Sequence, residues 1–148
     1  MNELFLFAGN WRGIRDGNQI ALEMYNRHYS AYHYRDGRER KLFCGPGEKM
    51  VLLTANNDGL FVWRKFIDAS GQQGVNCAVF RNEGTIRSSI LIAEAVELAR
   101  KRWPEERFYT YVNPKKIKSS NPGYCFQKAG WKKCGITKSG LIIFELVN

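Results

Sequence analysis

The residues best suited to hold an anion are nine in a row, Arg81, Asn82, Glu83, Gly84, Thr85, Ile86, Arg87, Ser88 and Ser89. They stand between a strand-like run, Val75 to Phe80, and a helical one, Ile90 to Trp103. A strand, a short loop holding a glycine and a fresh helix N-terminus make a cradle of free N–H groups, and the helix dipole favours negative charge there. The chemistry to expect is phosphate binding, with Arg81 opening the cradle as a charged donor. Proton transfer needs a second kind of residue. His28 is the best general-base candidate, because an unperturbed histidine titrates near ~6.5. Its competing reading is a helix-face histidine packed beside Met24. The other histidine, His33, lies in the tyrosine-rich stretch Tyr32-His33-Tyr34.

The elements that must position these groups follow from periodicity and punctuation. Asn18 or Asp16 can cap a first helix, roughly Gln19 to Tyr29, with Ile20, Met24 and His28 along one face. Residues 35 to 49 are polar and glycine-rich and read as a long loop. Met50 to Thr54 reads as a strand, Asn56-Asn57-Asp58-Gly59 as a hairpin turn, and Leu60 to Phe66 as the returning strand. After the cradle, Ser88 or Ser89 is the expected N-cap of a helix that stops at Trp103-Pro104. Leu91, Ala95 and Leu98, with Ile92, Val96 and Ala99, give that helix one broad apolar face. Phe108 to Val112 reads as a strand, Tyr124 to Ala129 as a short helix ended by Gly130, and Leu141 to Val147 as a closing strand. Strand, cradle, helix and strand form a βαβ unit, which puts the cradle at the carboxyl end of a parallel strand, where α/β sheets bind ligands. Trp63, Trp103 and Trp131 lie in apolar runs and read as core.

Composition sets the bounds. A chain of 148 residues, 44% of them apolar, fits one ordered α/β domain spanning 1–148. No apolar run reaches membrane-spanning length, and Met1 to Phe7 carries Glu3 without a basic n-region, which argues against a signal peptide. Cys44, Cys77, Cys125 and Cys134 form no C-x-x-C pair, which points to a reduced intracellular protein without structural zinc. His28 and His33 have no carboxylate or cysteine companions at ligand spacing, so no metal is expected. With 23 Lys+Arg against 14 Asp+Glu, the net charge of +9 favours a polyanionic partner, most often nucleic acid.

Two motifs carry a resemblance. Arg81-x-x-Gly84 resembles the R/Q-x-x-G-x-G/A pyrophosphate loop of the GNAT family of N-acetyltransferases. Phe126 to Trp131 resembles that family's later aromatic-x-x-x-Gly-aromatic helix tail. Within the family, Phe80-Arg81-Asn82-Glu83-Gly84, Thr110-Tyr111-Val112-Asn113-Pro114, Asn121-Pro122-Gly123-Tyr124-Cys125-Phe126 and His28-Tyr29-Ser30 resemble bacteriophage DNA-modification proteins of the Mom type. The likeness to the GNAT family covers roughly residues 50 to 148. It implies an α/β (α+β) GNAT-like fold, a mixed central sheet flanked by helices, in the cytoplasm of a bacterial host. It also implies an acetyl-CoA or related acyl-CoA cofactor, held by residues 80 to 89 with Phe126. The implied activity is transfer of a carbamoylmethyl-type group to the exocyclic amine of adenine in DNA, which shields that DNA from restriction. Two positions depart from the family pattern. Ile86 stands where Gly or Ala is usual and can crowd a phosphate. Phe126 stands where a tyrosine often protonates the leaving thiolate, which phenylalanine cannot do.

An exocyclic adenine amine is a poor nucleophile, so positioning and deprotonation must do much of the work. On this reading His28 is the base, Arg81 steadies negative charge, Asn113 orients the acceptor and Tyr124 donates a proton or hydrogen bond. Asn113 also reads as a turn-former before Pro114, and Tyr124 as a structural tyrosine. Phosphate contacts are expected from Lys115, Lys116 and Lys118 and from Arg35, Arg38, Arg40 and Lys41. Tyr32, Tyr34 and Trp11 are candidates to stack on an unpaired base. The alternative for those loops is a solvated surface. Two other functions stay open: an acyl-CoA N-acyltransferase acting on a small amine or protein, and a non-catalytic nucleic-acid-binding module on the same fold.

Overall fold

A computed structural model describes residues 9–28, 31, 41–117 and 120–147. In chain order the elements are β1 (Trp11–Ile14), α1 (Gln19–Arg27), β2 (Glu48–Thr54), β3 (Gly59–Lys65), β4 (Val75–Asn82), α2 (Ser88–Arg102), β5 (Phe108–Val112), α3 (Tyr124–Lys128), β6 (Lys132–Ile136) and β7 (Ile142–Leu146). The strands form one seven-stranded mixed sheet in the order β1-β2-β3-β4-β5-β7-β6. All neighbours are antiparallel except β4 and β5, which run parallel. The right-handed crossover preference of such βαβ units puts α2 on one face of the sheet.

Alternation along the strands divides the core in two. Trp11, Leu52, Phe61, Trp63 and Phe108 pack with Leu91, Ala95 and Leu98 of α2 on one face. Val51, Leu53, Leu60, Val62 and Val79 pack with Ala21, Met24 and Tyr25 of α1 on the other. Two buried indoles fasten α2 one turn apart: Trp11 Nε1 donates to Leu91 O at 2.7 Å and Trp63 Nε1 to Ala95 O at 3.0 Å. Each such bond contributes about 1 kcal/mol net. The expected stacking role of Trp11 is therefore wrong, since the ring is fully buried and its one polar atom is occupied. Trp63, Trp103 and Trp131 are core, as their apolar neighbours imply.

One irregularity shapes the molecule. In β4, Val79 pairs with Val62 and Cys77 with Trp63, so Ala78 is an extra residue with no partner on β3. A bulge of this kind bends its strand and reverses the alternation of side chains. Val75 and Cys77 face α2, whereas Val79 faces α1 and Phe80 returns to the α2 side. The parallel ladder to β5 joins Val75, Asn76 and Cys77 to Phe108, Tyr109 and Thr110 and then stops. Beyond that point the two strands part.

The sequence reading is corrected at several ends. Asn18 caps α1 as expected, its Oδ1 accepting from Ile20 N and Ala21 N at 3.1 Å. The helix ends at Arg27 rather than Tyr29, because His28 is already extended (φ −77°, ψ 143°). Its buried face is Ala21, Met24 and Tyr25, while Ile20 is exposed. Helix α2 begins at Ser88 with Arg87 as N-cap, so neither serine caps it. The Ser88 hydroxyl is engaged instead, accepting from Asn82 Nδ2. Gly130 terminates α3 with φ 95°, the left-handed geometry expected of it. Strands β1 and β6 were not expected from the sequence.

Gly74 sits where β4 enters the parallel ladder, with φ 120° and an added Cβ placed 2.1 Å from Arg107 O. That oxygen already accepts from Val75 N at 2.8 Å. Gly74→Ala is expected to cost more than about 2 kcal/mol, through both backbone strain and the clash. Urea denaturation of the two proteins measures it.

Candidate functional site

Where β4 leaves β5 the sheet opens into a cavity of about 650 Å³. It is lined from both faces. Asn76 and Tyr111 come from the α1 side, together with His28 at the end of α1. Phe80, Val112 and Phe126 come from the side of α2 and α3. Lys116 and Tyr124, both exposed, stand at its edge, with Asn113 between the strand end and the lysine. Phe80 meets Phe126 edge to face, with ring centroids 6.1 Å apart, and so forms an aromatic wall.

His28 is held neutral. Burial and the positive charge of Arg81 push its pKa down to about 4, against a hydrogen bond to the Phe80 carbonyl that pulls the other way. A neutral ring that donates one N–H to Phe80 leaves its second nitrogen as an acceptor. Tyr111 cannot compete as a base. Burial raises its pKa to about 12, and its hydroxyl is bonded to Asp68 Oδ2 at 2.8 Å and to Ser70. The two thiols in the wall, Cys77 and Cys125, are also pushed up by burial and remain protonated. Thiolate nucleophiles are thereby disfavoured, and His28 presents an unprotonated ring nitrogen to the cavity at neutral pH, as a base weakened by burial and by Arg81.

The expected cradle is narrower than its sequence suggests. Glu83 N donates to Asp58 O at 2.7 Å and Gly84 N to Asn82 Oδ1 at 3.0 Å. The Asn82 side chain spans the loop further, reaching Ile86 O at 2.7 Å. Gly84 is small because the hairpin's Asp58 carboxylate lies against it, 2.3 Å from where a Cβ would be. The amides of Thr85, Ile86, Arg87, Ser88 and Ser89 have no acceptor among the described residues. The Ile86 side chain turns onto the α2-side core, so it does not fill the mouth of the loop.

Arg81 is not free to meet a ligand in the way its position suggested. It pairs with Glu83 and donates to Arg27 O at 2.9 Å, and Arg27 grips the same Glu83 through two bonds of 2.8 Å. These arginines, Arg27 above all, hold the Glu83 carboxyl down at about 2. Of the expected cofactor-binding residues, Phe80 and Phe126 line the cavity, whereas Arg81 to Ser89 lie outside its walls. Of the expected catalytic residues, His28, Asn113 and Tyr124 line it. The Asn113 side chain also accepts from Lys115 N at 3.1 Å, so it makes its turn as well. Tyr124 opens α3 and is 53% exposed.

Among the expected phosphate contacts, Lys41, Lys115 and Lys116 are exposed. Tyr32, Tyr34, Arg35, Arg38, Arg40 and Lys118 lie outside the described residues, as do Tyr29, Ser30 and His33. The sequence reading missed Asn76, Thr110 and Tyr111. Asn76 had one visible signal, a carboxamide near the start of an otherwise apolar run, in a strand where asparagine is disfavoured. No protein-family profile and no curated protein matches the chain at a significant level.

The depressed pKa of His28 has a measurable consequence. The unfolded chain protonates this residue below about 6.5 and the folded one only near 4, so stability falls as pH drops through that window. Between pH 7 and pH 5 the loss should be about 2 kcal/mol, and His28→Asn should remove most of it. Urea midpoints at the two pH values read this directly, and an unchanged slope in the variant would refute the assignment.

Proposed function

We propose that the chain is a GNAT-like group-transfer enzyme of the Mom type, moving an acyl-derived group onto the exocyclic amine of adenine in DNA. One observation carries this reading. The parallel pair β4 and β5 opens into an aromatic-walled cavity with a neutral histidine in it. Such a gap admits reactants from both faces of the sheet, and a flat base fits between aromatic and apolar walls. The strand order, with one parallel pair flanked by antiparallel strands, is consistent with the GNAT-like expectation.

The residues present fit an acyl-CoA cofactor in two places. The unpaired amides of Thr85 to Ser89 at the start of a 15-residue helix would hold phosphate, and Phe80 and Phe126 would flank the acyl arm. Bound there, an acyl-CoA would supply a thioester, whose C–S bond breaks as the amine nitrogen bonds the carbonyl carbon, with the coenzyme thiolate as leaving group. His28 would take the proton that the amine sheds. The Phe80 carbonyl fixes the ring, and burial together with the charge of Arg81 keeps it unprotonated beforehand. Tyr124 and Asn113 offer hydrogen bonds at the cavity edge, and Lys115 and Lys116 neutralise phosphates of the strand that carries the base.

A non-catalytic nucleic-acid-binding module is the second reading. It draws on the closure of residues 82 to 84 by their own side chains and on the tethering of Arg81 by Glu83.

Mass spectrometry of nucleosides from cells expressing the chain separates the two. A new adenosine adduct is expected, reduced at least about a hundredfold by His28→Ala. Unmodified DNA from cells holding folded protein would leave the binding module. Binding to single-stranded DNA should fall steeply with salt, and replacing Lys115 and Lys116 together by Gln should flatten the log–log slope by about 1.5. A slope identical to wild type would remove these lysines from the interface.

A further inference from the structure

We propose that Asn76 reads the acceptor base, its carboxamide oxygen accepting an N–H of the exocyclic amine that is to be modified. The assignment rests on the base-modification reading above and names the residue that recognises the amine. Asn76 lines the cavity on the same side as His28, is 7% exposed, and its Oδ1 has no hydrogen-bond partner among the described residues. Buried side-chain oxygens are nearly always paired, so an orphan in a cavity wall marks a place for a donor. Its buried neighbours are committed elsewhere: Thr110 Oγ1 donates to Cys77 O at 2.9 Å, and Tyr109 Oη to Asp68 Oδ2 at 2.9 Å.

The chemistry selects the ligand. A neutral amide oxygen takes an N–H and gives nothing to a phosphate. A carboxamide accepts and donates side by side, and so matches a base edge with an amine beside a ring nitrogen, as on adenine. The terminal torsion of asparagine is soft, so Oδ1 can swing toward a ligand at little cost. An amine with one N–H on Asn76 keeps its second for His28.

The test uses single-stranded oligothymidylates with one central adenine or one central unsubstituted purine, which differ only in the amine. Wild type should prefer adenine about tenfold, and Asn76→Leu should bind both alike. Because the leucine removes an unpaired polar atom, its melting temperature should match or exceed that of wild type by about 3 °C. Asn76→Ala repeats the comparison should the leucine variant not fold. A folded variant that keeps the adenine preference overturns the assignment. Equal wild-type affinities with an adduct still formed overturn it too and leave the enzyme reading intact, whereas no oligonucleotide binding and no adduct removes both.

Discussion

Ala78 is the residue on which the site depends. Without the extra position, β4 would keep a regular alternation and could continue its ladder along β5 past Cys77 and Thr110. Paired strands lie less than about 5 Å apart, which leaves no space for a ligand between them. The bulge both ends the pairing and rotates the last residues of the strand. Phe80 turns to the α2 side to face Phe126, and Arg81 stands opposite Leu60 on the α1 side. There its charge reaches His28. The slip at Ala78 thus coincides with the end of the parallel pairing and the opening of the cavity, where Arg81 adds to the burial that keeps His28 neutral.

The strands around this opening are unusually well anchored. Tyr109 and Tyr111 on β5 share Asp68, whose carboxyl would be raised by burial but is held low by bonds from Ser70, Tyr111 and Tyr109. Arg107, just before β5, binds Glu145 on β7 at 2.6 Å and Gln73 O at 2.9 Å, so it ties the loop before β4 to the far side of the sheet. On the other side, Arg27, Glu83 and Arg81 join the end of α1 to the end of β4. Exposed pairs of this kind add little stability singly, and their value here is geometric.

Much of this was legible in the sequence because the signals were local. The cap at Asn18, the Asn56 to Gly59 turn, strand β5 and the glycine after α3 each depend on a few adjacent residues. Strands β1 and β6 were not legible. Trp-Arg-Gly-Ile and Lys-Lys-Cys-Gly-Ile show no alternation, and each exists because an antiparallel neighbour supplies its ladder. The bulge was hidden for the same reason: only the register against β3 shows that Ala78 is surplus. The strand–loop–helix junction was read in the right place, but Asp58 and the Asn82 side chain, which take the loop's first amides, act through tertiary contacts that spacing cannot reveal. Trp11 was misread because an aromatic residue's place in the sequence says nothing about which face of a strand its ring occupies.

Charge is divided between the cavity and the surface around it. The cavity holds a neutral histidine, protonated thiols and a neutral phenol. The chain beyond Val112 carries Lys115, Lys116, Lys118, Lys128, Lys132, Lys133 and Lys138 against Glu145 alone. A basic surface draws a polyanion without regard to its sequence, and its contribution fades with salt. A cavity whose buried groups are uncharged, with Lys116 at its edge, suits a planar polar edge better than a phosphate. If the surface supplied the whole interaction, an unpaired carboxamide in the cavity wall would only weaken the fold. The unpaired Asn76 oxygen therefore ties the proposed base recognition to the cavity, as distinct from the basic surface around it.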